Sequence, residues 1–305
     1  MIIKRNAPTE ADAAPPEWTV AVERFGHFQA DQEKSANTIR CYRQDLLMFS
    51  SWYHGEYHEA PEIETIAAAE LREWKAKLIA DKQAPQSVNR RLAALQSLLK
   101  WCQGHGWCQA VQGPRMVRQE APRPRWLSRK EQNALVRCVE KQRVIRDIAL
   151  IKLFLNAGLR VAEAASLVWS DIELSARKGT ATVIGKGRKL RAAPLNVEAR
   201  DALSKLAEGW KLHSKRHVFE GREGGLKANA LWRIVGRYGR ESRLEKLSPH
   251  VLRHTFCRRL AEQGVPLQDI AALAGHESIE TTRRYVEPGQ DDLRAAVERL
   301  AGGEE

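Results

Sequence analysis

A proline-bearing basic segment between Gly113 and Lys130 divides the chain into two regions that carry their own apolar patterns. Pro114, Pro122 and Pro124 favour an extended backbone there, because proline fixes φ and does not continue a helix. The basic residues of the segment, set against the acid Glu120, are Arg115, Arg118, Arg123, Arg125, Arg129 and Lys130. We therefore expect two compact domains, joined by a basic linker at residues 113–127.

The region before the linker has the 3.6-residue apolar period of α-helices. One stripe consists of Ile39, Tyr42, Leu46, Phe49 and Tyr53, and a second consists of Val88, Leu92, Leu95, Leu99 and Cys102. Helical stretches are also predicted near residues 18–28 and 67–79. These patterns predict a small bundle of four helices over residues 17–112, preceded by a flexible polar segment at residues 1–16.

The region after the linker mixes helical and strand-like patterns. Ser128 and Glu131 form a capping box that starts a helix. Residues 148–155 are apolar almost throughout, as in a fully buried helix, and Gly158 provides a left-handed stop. Strand-like alternation then appears on both sides of a hairpin tip at residues 185–187. The fold class predicted for the chain is mainly α with a small antiparallel β-sheet.

The charge of the chain favours a polyanionic partner. Its 50 lysines and arginines exceed its 38 acids, which gives a formal net charge of +12. Each phosphate neutralised by such a cation releases condensed counterions, so nucleic acid is a natural partner. Ribosomal and RNA-binding proteins share this balance, so charge alone says nothing about enzymatic activity. We interpret the linker as a segment that lies along a phosphate backbone, the alternative being a plain soluble tether.

Membrane, signal-peptide, disulfide and zinc signatures are not evident in the sequence. There is no run of about 18 apolar residues and no apolar stretch near the start, so we expect a cytoplasmic protein without membrane contact. The five cysteines are scattered and form no C-x-x-C pair. We therefore expect reduced cysteines, most of them buried, and neither a metal nor a cofactor.

Four short segments of the second region carry residues whose chemistry belongs together. They supply Arg160, Lys186, His250, Arg253, His276 and Tyr285. Taken singly, each has an ordinary interpretation: Arg160 could pair with Glu163 at a helix end, and Lys186 could be a solvated turn residue. The i, i+3 spacing of His250 and Arg253 is common by chance. A tyrosine that follows a histidine usually belongs to the core or the surface.

As a set, these residues fit attack on a phosphodiester by a hydroxyl group. Negative charge develops on the equatorial oxygens of the transition state, and guanidinium groups match pairs of phosphate oxygens. Two arginines, a lysine and two histidines around Tyr285 would replace a metal ion. A phenol with a pKa near 10 also needs a proton acceptor, and the leaving oxygen needs a donor. His250 is the candidate base and Lys186 the candidate acid.

The order and wording of these segments resemble the tyrosine recombinase (phage integrase) family, and within it the compact Xer-like and transposon-type members. The first arginine of the family corresponds to Arg160 within Gly-Leu-Arg-Val-Ala-Glu. Glu163 takes the position of an acidic residue that supports the active site in many members. The hairpin lysine of the family corresponds to Lys186 within Gly-Lys-Gly-Arg-Lys.

The resemblance continues towards the end of the chain. The His-x-x-Arg box matches His250 and Arg253, the second histidine matches His276, and the nucleophile matches Tyr285 within Thr-Thr-Arg-Arg-Tyr. Ala274 departs from the family pattern, where leucine is common, which affects packing rather than chemistry. The resemblance implies a catalytic domain at residues 128–290, and it identifies the first region as a SAM-like core-binding domain.

The resemblance also implies a mechanism and partners. Tyr285 would form a 3′-phosphotyrosine, and a Holliday junction would follow, in integration, excision or resolution of DNA. The expected partners are double-stranded DNA with a specific recombination site and a homotetramer on two sites, from a monomer or dimer without DNA. An accessory protein or partner recombinase is possible. Residues 291–305 are expected to form a C-terminal helix and tail exchanged between protomers.

The residues expected to bind DNA are Arg40, Arg43, Arg90, Arg91, Arg115, Arg118, Arg123, Arg125, Arg188 and Lys189. Those of the helical bundle fall on faces other than the apolar stripes, and each alone would be an ordinary solvated residue. Two other functions remain open: a type IB topoisomerase that relaxes DNA by the same chemistry, and a catalytically silent DNA-binding protein on the same fold.

Overall fold

The computed structural model describes residues 14–118, 124–185, 190–208, 215–276, 278–283 and 285. The chain divides into two compact units, Met1–Ala121 and Pro122–Glu305, and this boundary lies inside the segment predicted as a linker. Helices dominate both units and the strands are short and antiparallel, which confirms the predicted fold class. Within the described ranges, none of the helices combines the length and apolarity needed to cross a membrane.

The first unit is helical where the apolar stripes predict helices. Its helices are α1 (Trp18–Asp31), α2 (Ala36–Tyr57), α3 (Ala68–Ala80) and α4 (Pro85–Gly104). Ser35 caps α2 by accepting from the Thr38 amide, and Pro85 occupies the first turn of α4, where a missing N–H costs nothing. Phe49 and Trp74 meet edge to face with centroids 5.0 Å apart in a core that joins all these helices.

The second unit is built around a buried helix, as its apolar sequence predicts. The helices are α5 (Arg129–Lys141), α6 (Ile145–Ala157), α7 (Val161–Ser166), α8 (Val197–Ala207), α9 (Ala228–Glu241), α10 (Pro249–Glu262), α11 (Leu267–Ala274) and α12 (Glu280–Arg283). Helix α6 packs against α8 and α10, and Leu150, Leu153 and Phe154 have no exposed surface. The capping box of Ser128 and Glu131 starts α5 as predicted.

The strands of the second unit follow α7 in the chain. Strands β1 (Ile172–Leu174), β2 (Gly179–Ile184) and β3 (Leu190–Pro194) form one sheet in that order, and β4 (Glu220–Gly221) pairs with β5 (Gly224–Gly225). In the first sheet β2 and β3 are antiparallel, with Ile184 opposite Leu190. Strand β1 was not predicted, because three residues are too few for a visible alternation.

Candidate active site

Arg160 is fixed at a sharp exit from the core helix. Gly158 ends α6 in the left-handed conformation with φ of 59°, and a Cβ added there would come within 2.3 Å of the Phe256 ring. Only glycine therefore fits between α6 and α10 at this point. Two residues later, Arg160 is the N-cap of α7, so its side chain leaves the backbone beside the buried Glu163.

The buried Glu163 carboxylate holds two arginine side chains of the site in place. The side chain is 2% exposed and accepts from the Arg160 amide (2.8 Å), from Arg160 Nη1 (2.9 Å) and from Arg191 Nη2 (2.7 Å). Burial by itself would raise the pKa of this carboxyl. The hydrogen bonds and charges of Arg191 and Arg160 outweigh burial and lower the pKa below its ordinary value, so Glu163 is ionised.

Arg253 is more deeply buried than Arg160, and one of its guanidinium nitrogens makes no hydrogen bond to the described residues. Its side chain on α10 is 4% exposed, and Nη1 donates to the Gly158 carbonyl at 2.6 Å. Burial, followed by the charge of Arg160, lowers its pKa to about 10, so the guanidinium stays protonated at neutral pH. Among the described residues, Arg253 Nη2 has no hydrogen-bond partner although it is buried. Leaving such a donor unsatisfied costs about 1–3 kcal/mol.

A second left-handed glycine places His276. Gly275 ends α11 with φ of 66°, and its carbonyl accepts a hydrogen bond from Arg160 Nη2. A Cβ at this position would lie 2.7 Å from Arg191 Nε and 3.3 Å from Arg160 Nη1, so a side chain here would displace these two arginines. The next residue, His276, is held by a 2.7 Å hydrogen bond between Nδ1 and Thr282 Oγ1.

His250 lies near Arg253 and Arg160, whose charges act on its ring. Its side chain keeps a large exposed surface at the start of α10. Partial burial of the ring, followed by the positive charges of Arg253 and Arg160, lowers the pKa of His250 below its ordinary value. The imidazole is therefore neutral at pH 7 and can donate or accept a hydrogen bond next to the guanidinium groups.

Tyr285 is buried in a small apolar cluster next to α10. It is 1% exposed and packs with Cys257, Ile270 and Ala274. Its hydroxyl forms a hydrogen bond with His254 Nδ1. The Tyr285 ring also lies parallel to the His276 ring, with centroids 6.2 Å apart. The tyrosine that the sequence predicts as the nucleophile is thus buried in the same unit as Arg160 and Arg253.

Most of the predicted catalytic residues come together in this second unit. Arg160 bonds to Glu163 and to the Gly275 carbonyl, and Arg253 bonds to the Gly158 carbonyl, two residues before Arg160. His276 follows Gly275, and its ring lies against that of Tyr285. Lys186, predicted at the hairpin tip, lies outside the described residues, as do Arg123, Arg188 and Lys189. Among the described residues, no group of three or more histidines, cysteines and acids is arranged to hold a metal ion.

Sequence reasoning missed two residues of the site. Arg191 was included only in a strand, although it shares the inward face of β3 with the buried Ala193, and a charge on such a face needs a partner. His254 was passed over, although it follows His250 by four residues and so shares its helix face. The spacing of these residues in the sequence could have identified both of them.

The predicted DNA-binding arginines of the first unit differ in availability. Arg40 and Arg43 are exposed, and Arg43 Nε donates to Glu23 at 2.7 Å. Arg90 pairs with the buried Asp45 while its side chain stays 40% exposed. The prediction of a solvated helix face is wrong for Arg91. That side chain is buried, because it donates to Gln83 at 2.7 Å and lies 3.6 Å from Asp45.

The described part of the linker is tied down at defined points. Lys75 Nζ donates to the Arg115 carbonyl at 2.8 Å, and Asn89 exchanges two hydrogen bonds with the Val117 backbone at 2.8 and 2.9 Å. These bonds use the backbone of the segment and leave the side chains of Arg115 and Arg118 exposed. In the second unit, the exposed Arg125 lies 3.6 Å from Glu131.

Comparison with protein families matches both units. The profile of the "Phage integrase family" covers residues 125–291, and that of the "Phage integrase, N-terminal SAM-like domain" covers residues 22–104. A similar curated protein is the tyrosine recombinase XerC of Xanthomonas campestris pv. campestris (strain B100). It is 32% identical over 287 residues, which span 92% of this chain and 88% of the relative.

More distant similarity extends to a second bacterial relative and to solved structures. Tyrosine recombinase XerD of Listeria monocytogenes serovar 1/2a (strain ATCC BAA-679 / EGD-e) is 31% identical over 280 residues, covering 87% of this chain and 92% of the relative. The XerH site-specific recombinase, bound to its palindromic difH substrate in a post-cleavage complex, superposes with a TM-score of 0.73 at 20% identity. That match covers 92% of this chain and 83% of XerH, and it shows a shared fold.

Proposed function

The chain belongs to the phage integrase family of tyrosine recombinases, and we propose that it is a site-specific DNA recombinase with Tyr285 as its nucleophile. Enzymes of this family cleave and rejoin DNA, and the chain is an enzyme of this class. The XerC and XerD relatives support the site-specific function, and the XerH complex supports a DNA recombination site as the partner.

The observation that carries the residue assignment is the reserved donor of Arg253. A buried guanidinium nitrogen without a partner is unfavourable unless a ligand satisfies it. It lies in a site where Arg160 adds a second guanidinium and His250 a neutral imidazole. A phosphate oxygen is the acceptor that such a site fits, because bidentate guanidinium contacts match phosphate geometry. The scissile phosphate would therefore bind at Arg253.

The proposed reaction keeps the energy of the broken bond in a new covalent bond. The Tyr285 phenolic oxygen attacks the phosphorus, forms a 3′-phosphotyrosine and expels the 5′ oxygen, which takes a proton. Lys186 is the proposed donor of that proton. The 5′ hydroxyl of a partner strand then attacks the phosphotyrosine and releases Tyr285. This first strand exchange forms a Holliday junction, and a second exchange resolves it. The arginines stabilise the charge that develops on the phosphate oxygens.

We propose a homotetramer on two DNA sites, assembled from monomers or dimers, with residues 291–305 exchanged between neighbours. The exposed arginines around α2, α4 and the linker would follow the phosphate backbone, together with Arg123, Arg188 and Lys189. Arg91 would support Asp45 beneath them. The protein would act in the cytoplasm, and an accessory protein or partner recombinase remains part of the proposal.

Trapping the covalent intermediate tests this function. The protein is incubated with a randomised library of duplexes nicked at successive positions, so that cleavage releases a short fragment and cannot reverse. We expect an adduct that survives denaturation, is enriched in one sequence, and joins DNA to the peptide that contains Tyr285 by mass spectrometry. Attachment through another residue would refute the assignment. Relaxation of supercoiled plasmids without sequence preference would favour the topoisomerase alternative.

Binding should depend steeply on salt, because the exposed arginines displace counterions from phosphates. If six or more phosphates are neutralised, affinity should fall by roughly 10³-fold or more between 50 and 200 mM salt. Replacing Arg40 or Arg115 by alanine should reduce the slope of log affinity against log salt by about one each. Fluorescence anisotropy on a labelled duplex measures both effects, and a flat salt response would contradict the phosphate-contact proposal.

A further inference from the structure

The rings of His250, His254, Tyr285 and His276 form a continuous row, which starts near Arg160 and Arg253. His250 and His254 lie with centroids 6.4 Å apart, His254 and Tyr285 follow at 5.4 Å, and Tyr285 and His276 at 6.2 Å. His250 is the member beside Arg253 and Arg160, whereas His254 is the member bonded to the phenolic oxygen. The two histidines of α10 thus occupy different positions along one path.

We propose that His254 is a further catalytic residue, the group that accepts the phenolic proton when Tyr285 attacks. Resting on the proposed function, this inference changes the division of labour expected from the sequence, where His250 was the candidate base. A base must lie within hydrogen-bond reach of the proton it takes, and His254 Nδ1 is bonded to the Tyr285 hydroxyl. His250 is then left to contact the phosphate beside the arginines.

The surroundings of Tyr285 make such an acceptor necessary. The phenol is 1% exposed, so bulk water cannot take its proton, and its packing partners Cys257, Ile270 and Ala274 are not bases at neutral pH. Burial raises the pKa of the Cys257 thiol to about 11, so it remains protonated. His276 Nδ1 is hydrogen-bonded to Thr282 Oγ1, and its ring lies stacked against the phenol. Contact with the reacting oxygen therefore favours His254.

The proton and electron balance of the step is complete. As the bond between the Tyr285 oxygen and phosphorus forms, the phenolic proton passes to His254 Nδ1, which gives an imidazolium. The bond from phosphorus to the 5′ oxygen breaks, and that oxygen receives a proton from the donor proposed above. When the partner 5′ hydroxyl attacks, its proton returns to that same donor, and the departing phenoxide recovers its proton from His254. The histidine ends the cycle neutral, as it began.

The decisive variant is His254→Asn, whose amide can keep a hydrogen bond to the Tyr285 hydroxyl but cannot take its proton at neutral pH. We expect single-turnover cleavage of the nicked substrate to slow by about 10²–10⁴-fold, the usual contribution of general base catalysis. Replacing Tyr285 by a fluorinated tyrosine with a more acidic phenol should recover at least about tenfold of the loss in H254N. Added imidazole should likewise stimulate H254A, which has room for it.

His58→Asn is the matched control, because it makes the same replacement at an exposed left-handed position that asparagine accepts. H58N should cleave at the wild-type rate. Cleavage by H254N at the wild-type rate or faster, or a slow H254N that neither the fluorinated tyrosine nor imidazole rescues, would overturn the role of His254. Persistence of adducts in Y285F would instead refute the proposed nucleophile, so the two failures are distinguishable. Thermal melting and DNA binding of each variant show that it is folded.

Discussion

Replacing Tyr285 by phenylalanine is expected to abolish covalent attachment to DNA, a loss of at least about 10⁴-fold, while DNA binding is retained. The ring would keep its packing against Cys257, Ile270 and Ala274, so the cluster stays filled. The substitution removes the hydroxyl and its bond to His254, which lowers the free energy of unfolding by about 1 kcal/mol. Denaturing gels of the nicked substrate measure the adduct, and native gels measure binding.

Tyr57→Phe provides a matched control for that experiment. The Tyr57 hydroxyl also donates one hydrogen bond, to Glu73 in the first unit, so both variants lose the same group. Y57F should form adducts at the wild-type level. Adducts in Y285F at a similar level would show that another residue is the nucleophile, whereas loss of DNA binding in Y285F would show that the variant is not a clean test.

Replacing Glu163 by alanine should be the most destabilising single change in the site. It removes the carboxylate shared by Arg160 and Arg191, leaving positive charges without their buried partner. Breaking such a pair typically costs about 3–5 kcal/mol. Cleavage should also slow by roughly 10²–10³-fold, because the Arg160 guanidinium loses its orientation. Urea denaturation of the full chain, followed through the unfolding of the second unit, measures the first effect.

Glu140→Ala is the control for stability, because the Glu140 carboxylate is largely exposed and pairs with Lys152 at 2.7 Å. Exposed pairs contribute about 1 kcal/mol or less. If E163A were no less stable than E140A, the buried carboxylate would not hold the site together. The effect should also depend on pH in a defined direction. Since the pKa of Glu163 is lowered by folding, its ionised form stabilises the protein above its ordinary value of 4.5, and this advantage disappears as pH falls towards the folded pKa.

The fold was accessible from the sequence wherever a pattern extended over several turns. The stripes of α2 and α4, and the continuous apolar run of α6, predict helices because burial of one face, or of the whole surface, repeats with the helical period. Gly158 and the box of Ser128 and Glu131 mark boundaries through local backbone chemistry. Strand β1 has neither advantage, and its place in the sheet depends on pairing with β2.

The candidate site was accessible as a set of residue types but not as a set of contacts. Residue chemistry and the family resemblance identified Arg160, Glu163 and Arg253, and no sequence feature indicates that the arginines bind the carbonyls of Gly158 and Gly275. Those bonds join residues more than 90 positions apart in the sequence. Long-range pairings of this kind arise from how α6, α10 and α11 pack, and local propensity carries no information about them.

Arg91 illustrates the opposite error, in which a local rule was applied without its tertiary setting. A basic residue off the apolar stripe is usually solvated, and Arg40 follows that rule. Arg91 does not, because Asp45 on the neighbouring helix is buried and needs a counter-charge. The signal was an acid inside an apolar stripe of α2, next to Leu46, which requires a cation from another helix.

The 1% exposure of Tyr285 means that, in this conformation, a phosphate at the protein surface has no path to the hydroxyl. If Tyr285 is the nucleophile, this burial would limit cleavage of DNA outside the proposed recombination site without a separate inhibitor. In the proposed reaction, docking on DNA opens a path to the hydroxyl while its bond to His254 is kept, so the opening draws on the free energy of docking. Each tenfold rarity of the open form demands about 1.4 kcal/mol from that docking, so fidelity grows with the depth at which the hydroxyl is kept.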